Sequence, residues 1–510
     1  MTSHHPEHRR LGRVLRSAEM PVAVAPTPLG RRAFLAGAAA FALAGPGRAA
    51  VQKGTSKDVA IVGAGLAGLV CAERLLAGGT VATLYEASDR VGGRQFSMPN
   101  FHKGIGIERG GELIDTAHKT MIGYANRFGL PLESYRTNPG EEFFHFFGRS
   151  WTESEVVVAF RAFVPAMKAD VRDLSGATTA FQSTAFDRQI DALNLSQYLV
   201  SRGASPLIRA VIEEAYVAEY GREPSEQSAL GFLYFMRANN QSTFEPFGVS
   251  DERYHVVEGN DRIAAGIAAG LARAPRFGHR LVRVRKLADG RIELTFQSGT
   301  STVVRVHDTV VLAIPFSVLR TVDLDASLGL PAGKVKAIRE LGYGTNAKMM
   351  VAFEGRPWNV LGSNGASYAD LPNYQATWET NHTKAGADRG VLVDYSGGIR
   401  GAALNPARTS DEAEKWLRDA EVVYPGSAAA ATRSKGRPVA HLEHWPSNPL
   451  TRGSYTCYLP GQFSTIAGWE SVPVGNLHFA GEHANSFYEW QGFMEGACLS
   501  GIQTAAGILA

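Results

Sequence analysis

Residues Asp58 to Glu86 read as a short apolar strand, the run Gly63-Ala-Gly65-Leu-Ala-Gly68, a helical stretch and a second strand that closes on an acid. No other feature restricts the fold of this chain so strongly. Gly63 allows a tight turn, Gly65 lets the backbone approach a pyrophosphate, and Gly68 lets helix and strand pack closely, with phosphates at the helix N-terminus. Glu86, about 20 residues further on, stands where such units grip a ribose hydroxyl. A glycine turn between strand and helix is common by itself; here the strand, the helix and the terminal acid agree on a mononucleotide-binding βαβ unit. The acid favours a free 2′-hydroxyl, as in FAD or NAD, over an NADP phosphate.

Arg90-Val-Gly92-Gly93-Arg94 follows Glu86 closely, and its glycine pair and two arginines offer further N–H groups and guanidinium charge to the same pyrophosphate. At the other end, Asn476-Leu-His-Phe-Ala-Gly481-Glu482-His483 is again strand, glycine and acid. Trp490-Gln-Gly492-Phe493-Met494-Glu495-Gly496 and a helix to Leu509 come next. These two segments together resemble the flavin-containing amine oxidase superfamily, which includes monoamine, polyamine and L-amino-acid oxidases, and the resemblance spans nearly the whole chain from Asp58 to Leu509. It implies FAD, bound by Gly63, Gly65, Gly68, Glu86, Gly93, Arg94, Gly110, Gly111, Glu112, Val282, Gly481, Glu482, Phe493 and Met494. A helix N-terminus after Phe493 would direct its free N–H groups at the flavin C2 carbonyl, which turns anionic on reduction.

With 510 residues, 45% of them hydrophobic and 20% charged, the chain is an ordinary globular protein of about two domains. Residues 1–50 carry seven arginines against only Glu7 and Glu19, a net +5 compared with +3 for the whole chain, which leaves about −2 for the rest. The remainder is close to neutral, so no nucleic-acid or anionic-membrane surface is expected. Cys71, Cys457 and Cys498 are widely spaced, which disfavours a disulfide framework or a zinc site, and the histidines lack ligand-like spacing. Arg31-Arg32-Ala-Phe34-Leu35 precedes an alanine-rich apolar run and a small-residue stretch, so residues 1–50 resemble a twin-arginine signal. A start at Met20 would suit such a leader, and the destination would be the periplasm or the exterior.

The fold class expected is α/β, a discontinuous Rossmann-like FAD-binding domain (56–135, 254–320 and 470–510) with an α+β substrate-binding domain (136–253 and 321–469). Helix-period stretches over 151–171, 189–201 and 206–217 predict a helical cap. Strands are expected over 281–284, 291–296, 302–306, 309–314, 347–353, 376–379, 391–395 and 441–445, a helix over 411–423, and a loop over 426–431.

Four residues carry the expected chemistry. Tyr455 in Gly453-Ser454-Tyr455 matches one wall of the family's aromatic cage, Phe493 takes the place of the other, and Trp490 closes the rim. Lys348 matches the lysine that holds a water against flavin N5. Monoamine oxidases carry a flavin-bonded cysteine where this chain has Ser454, which implies non-covalent FAD. The expected reaction is oxidative deamination: hydride passes from the amine's α-carbon to N5, the imine hydrolyses to aldehyde and ammonia, and dioxygen yields hydrogen peroxide. A quinone could replace dioxygen, and a homodimer is compatible with the reading.

An L-amino-acid oxidase or a quinone-linked amino-acid dehydrogenase is the alternative. Those oxidases usually place a carboxylate-binding arginine after the glycine pair, where this chain has Gly111-Glu112-Leu113-Ile114. Its absence favours amines, although an arginine of the cap or of the 339–356 region could substitute. Glu112, Glu213 or Glu214 could meet the distal cation of a diamine or a basic amino acid. A desaturase- or isomerase-like flavoprotein and a non-catalytic flavin-binding protein stand further off.

Overall fold

The computed structural model describes residues 57–237, 250–386, 388–485 and 490–510, so the expected leader over 1–50 lies outside the described residues. Four parallel strands form the nucleotide-binding sheet, in the order Thr83–Tyr85, Val59–Val62, Thr309–Leu312 and Leu477–Phe479. Val59–Val62 and Thr309–Leu312 are buried along their whole length. Parallel strands covered on both faces need continuous apolar runs, and VAIV and TVVL supply them. The chain ends contribute the outermost strand and the helix Met494–Leu509, which packs on the first helix, Leu66–Ala77.

A seven-stranded sheet forms the second part. Its order is Ala440–His444, Ala347–Phe353, Gly390–Ser396, Ala376–Glu379, Ser363–Ala369, Glu141–Phe146 and Arg149–Trp151. Side chains alternate between its faces. Met349, Val351 and Phe353 pack with Trp416 and Leu417 of the helix Thr409–Val423, whereas Met350, Val391 and Val393 pack with Ile105 and Ile107. Lys348 shares the face of Met350. Tyr368 lies opposite Ala376, Ala376 opposite Tyr395, and Tyr395 opposite Lys348, so the four form one cross-strand row.

The helices Glu153–Asp173, Ala185–Asp191, Leu195–Ser201 and Pro206–Tyr220 occupy the stretch expected to be helical. Capping boxes at Thr152, Thr184 and Asn194 start the first three. Three strands of the large sheet, Glu141–Phe146, Arg149–Trp151 and Ser363–Ala369, were not expected. The sequence SNGASYA has little β propensity, and pairing on both sides makes it a strand. A short helix, Ser427–Ala430, replaces the loop expected over 426–431; it starts from Gly426 at φ +96°.

The helix pair at the nucleotide sheet depends on close approach. A Cβ on Gly501 would stand 2.4 Å from the Ala67 carbonyl oxygen and 3.1 Å from the Cys71 nitrogen. Gly501→Ala is therefore expected to push the last helix off the first and to destabilise the protein by about 1–3 kcal/mol. Because both helices begin at the cavity described below, retention of flavin should fall with the thermal midpoint. Unchanged melting and flavin content in this variant would show that the contact is slack.

Candidate active site

One cavity of about 470 Å³ runs from the glycine turn at Gly63 to the Lys348–Tyr395 row. Its first end is built from main chain. Gly63 holds φ +107°, and a Cβ there would stand 2.4 Å from the Ala313 carbonyl oxygen. A Cβ on Gly68 would stand 2.0 Å from the Gly63 oxygen, while Gly65 has no neighbour within 4 Å on that side. The turn is thus packed behind Gly63 and Gly68 and open at Gly65. No side chain caps the helix Leu66–Ala77, and Leu66 and Ala67 line the cavity, so its first-turn N–H groups are available to an anion.

Glu86 accepts hydrogen bonds from the Ala64 N–H (2.7 Å) and from the Ser88 N–H and hydroxyl (2.8 Å each), which fixes its carboxylate beside the turn. Gly93, at φ +60°, presses on Gly65. The arginines divide their work. Arg90 donates to the carbonyls of Val91, Gly93 and Gln95 and lies 3.7 Å over the Phe96 ring, so it holds the loop. Arg94 donates to the Ser454 carbonyl (2.7 Å) and to Glu482 (2.8 Å), joining the glycine pair to the chain's last segment. Burial would raise the Glu482 carboxyl, but the Arg94 charge and hydrogen bond, with smaller help from its other neighbours, hold the group below its ordinary value. Glu482 also accepts from the Gly492 N–H (2.9 Å). Val282 lines the same end.

Gly110 and Gly111 form the middle. A Cβ on Gly110 would stand 1.7 Å from the Arg94 oxygen, and one on Gly111 would touch the Met494 side chain at 3.1 Å. Met494 and Ala497, in the first turn of the last helix, line the cavity, and no side chain caps that helix either. Gly481 and His483 stand beside them. Burial pushes His483 down to about 3, so it is neutral. The group these features suit is a dinucleotide: a strained glycine turn, two uncapped helix N-termini and a fixed acid meet along one cavity.

Lys348 and Tyr455 line the far end with Tyr368, Trp378, Tyr395 and Phe493. Lys348 is 3% exposed; its Nζ donates to Glu112 at 2.6 Å and to the Gly110 carbonyl at 3.2 Å. Glu112 also accepts from the Tyr135 hydroxyl (2.5 Å) and the Thr380 hydroxyl (2.6 Å). Burial alone would raise its carboxyl, and the Lys348 charge together with the Lys348, Thr380 and Tyr135 hydrogen bonds reverses this. Glu112 is therefore the partner of Lys348, whose ammonium already meets its charge. Ser454, at the cysteine position of the monoamine oxidases, donates to Asn346 (2.6 Å), while Cys457 lines a separate cavity of about 30 Å³.

The aromatic arrangement differs from the expected one. Tyr455 pairs by its hydroxyl with that of Tyr395 at 3.0 Å, and Phe493 stacks on Phe235 with ring centroids 6.1 Å apart. Trp490 does not line the main cavity. The buried His118 ring lies edge-on to both Trp490 and Phe493, and Trp490 faces the small cavity with Cys457. The sequence reading missed Tyr368, Trp378 and Tyr395. The signal available was alternation: Tyr395 and Val393 share a face in VLVDYS, as Ala376 and Trp378 do in ATWE. Without knowing which strands pair, nothing aligned them with Lys348.

Replacing one partner of the ion pair should strand the other. Glu112→Leu leaves a buried ammonium unpaired and is expected to cost about 3–5 kcal/mol, and adding Lys348→Met should recover most of that loss. Denaturant titrations of the single and double variants test this. A double variant no more stable than Glu112→Leu would remove the ammonium as the cause.

The family model of the flavin containing amine oxidoreductases matches residues 66–509. An L-amino-acid oxidase of Naja atra is 22% identical over 476 residues, which cover 89% of this chain and 88% of that protein. A putative L-amino-acid oxidase of Bacillus subtilis (strain 168) is 23% identical over 478 residues, covering 88% of this chain and 94% of the relative. Among solved structures, cyclohexylamine oxidase from Brevibacterium oxydans IH-35A superposes with a TM-score of 0.74 at 20% identity, covering 89% of this chain and 99% of that one. Putrescine oxidase bound to putrescine gives the same TM-score, 0.74, at 20% identity and with the same coverage of both chains, 89% and 99%. The match over most of its length makes this chain an enzyme of the flavin-containing amine oxidoreductase family.

Proposed function

We propose that the protein oxidatively deaminates primary amines with non-covalently held FAD, giving an aldehyde, ammonia and hydrogen peroxide. One observation carries the choice of amine: Glu219, Tyr220, Glu252, Tyr368, Trp378, Tyr395 and Tyr455, the described side chains around the aromatic end, include no arginine. A substrate carboxylate calls for a bidentate guanidinium. Lys348 is already paired, and Arg356, in the region that could have substituted, is bonded to Glu379 at 2.6 Å.

When bound, the flavin takes two electrons and a proton's worth of hydrogen from the amine's α-carbon and passes the electrons to dioxygen or a quinone. The protein's residues bind, orient and exclude water. The Tyr395–Tyr455 hydroxyl pair fixes the Tyr455 ring as a wall, and the apolar surround favours the neutral amine, whose lone pair the reaction needs. Lys348 spends two of its three N–H donors on Glu112 and Gly110, and the third serves to hold a water. Ser454 in place of cysteine, and Cys457 turned to another cavity, support non-covalent cofactor binding. Arg31 and Arg32 support export of the folded protein through the twin-arginine route.

The L-amino-acid oxidase reading is favoured by the curated relatives, so the decisive experiment compares both substrate classes. The purified yellow protein is expected to bleach anaerobically with primary amines and not with L-amino acids, and to release peroxide in air. Bleaching by amino acids alone would reverse the assignment, and reduction of a quinone dye without peroxide would mark a dehydrogenase. Acid precipitation should leave a colourless pellet and free FAD in solution. Lys348→Met, at unchanged flavin content, should lower turnover by about 10²-fold in stopped-flow measurements.

A further inference from the structure

Two carboxylates at the aromatic end of the cavity have no partner. Glu219, near the end of the helix Pro206–Tyr220, and Glu252 both line it. Neither has an ion pair or a side-chain hydrogen bond among the described residues, in contrast with Glu112, which lines the same cavity and has three side-chain donors. The contrast extends to their protonation. Burial pushes Glu219 up, with the Asp115 charge adding to it, and burial followed by the Glu219 charge pushes Glu252 up further. Partly buried acids left in this state are costly, and a cation entering the cavity lowers the cost.

Tyr368 supplies an independent sign of a ligand. It is 9% exposed and lines the cavity, and its hydroxyl has no hydrogen-bond partner among the described residues. It stands at the Ala376 end of the cross-strand row whose other end is Lys348, with Tyr395 between. The hydroxyl can accept from an ammonium while the two carboxylates neutralise it.

We propose that Glu219, Glu252 and Tyr368 form a subsite for a second positive charge on the substrate, so that the enzyme prefers amines carrying another cationic group at the far end, such as α,ω-diamines. The subsite rests on the amine-oxidase reading of the cavity. The reactive amine lies toward Tyr455 and Lys348, and the remote cation lies against the two acids. This remote contact raises kcat/KM by anchoring the non-reacting end.

The test uses the flavin-loaded enzyme and matched probes: α,ω-diamines of three to six carbons against n-alkylamines of the same length. Wild type should favour the best diamine over its monoamine by at least tenfold in kcat/KM. In Glu219→Gln/Glu252→Gln the diamine-to-monoamine ratio should fall to near one, chiefly through KM, and Tyr368→Phe should lower it part way. Flavin content and visible spectrum of each variant verify folding. Glu213→Gln, on the same helix but with its carboxylate bonded to Ser196, should keep the wild-type ratio. Equal use of diamine and monoamine by wild type, or a diamine preference that survives the double substitution, overturns the subsite. Should the enzyme bleach only with amino acids, the amine reading fails separately. A lysine preference over norleucine that the double substitution abolishes would then still support the cation subsite, and its absence would sink it.

Discussion

The 2.6 Å contact between Lys348 and Glu112 joins the two halves of the site. Glu112 directly follows the glycine pair whose backbone is wedged against Arg94, and Lys348 opens a strand of the seven-stranded sheet. Removing both charges from water costs several kcal/mol per ion, and such a pair persists only when its remaining polar atoms are satisfied. Here the Tyr135 and Thr380 hydroxyls and the Gly110 carbonyl satisfy most of them, and one Lys348 N–H is left without an acceptor among the described residues. Such a network has one arrangement, so it sets where the sheet face lies against the glycine turn. The position of Tyr395, opposite Lys348 in register, then follows from the same anchor.

Acids of one type behave in opposite ways within this cavity. Glu112 and Glu482 are buried, yet each is held below its ordinary value by a neighbouring cation together with hydrogen bonds. Glu219 and Glu252 have no such cation among the described residues, and burial drives them the other way. Burial alone does not decide the charge of a carboxylate; the partner does. The protein thus supplies its own counter-charge at Glu112 and Glu482, and under the proposed subsite the counter-charge at Glu219 and Glu252 is left to the ligand.

The features legible in the sequence are those imposed by local main-chain geometry. Gly63 and Gly68 announce their turn because only glycine fits against the Ala313 and Gly63 carbonyls, and Ala347–Phe353 announces a strand by its apolar run. Lys348 is picked out by its match to the family's lysine, with its place at the start of that run in support. Features set by long-range pairing were silent. The strand Ser363–Ala369 exists because neighbours on both sides hydrogen-bond to it, and Tyr368 reaches the cavity only through that register. Trp490 illustrates the converse: its motif is plain, but the buried His118 ring packs edge-on against it and against Phe493, and the indole faces the smaller cavity.

Relatives named for amino acids and for amines match this chain at about the same 20–23% identity, and the solved amine oxidases superpose at a TM-score of 0.74. A fold shared so widely cannot carry the choice of substrate. The glycine turn, Glu86 and the Arg94–Glu482 bridge answer to the cofactor, whose shape is common to all members. Selection is left to side chains that no backbone rule dictates: those at the open positions of a sheet row and at the end of the cap helix beside it. In this chain those positions hold tyrosines and acids. Each acid left without a protein cation makes an uncharged or anionic ligand a worse guest than a cationic one, so the discrimination is built as much from what is left unpaired as from the contacts that form.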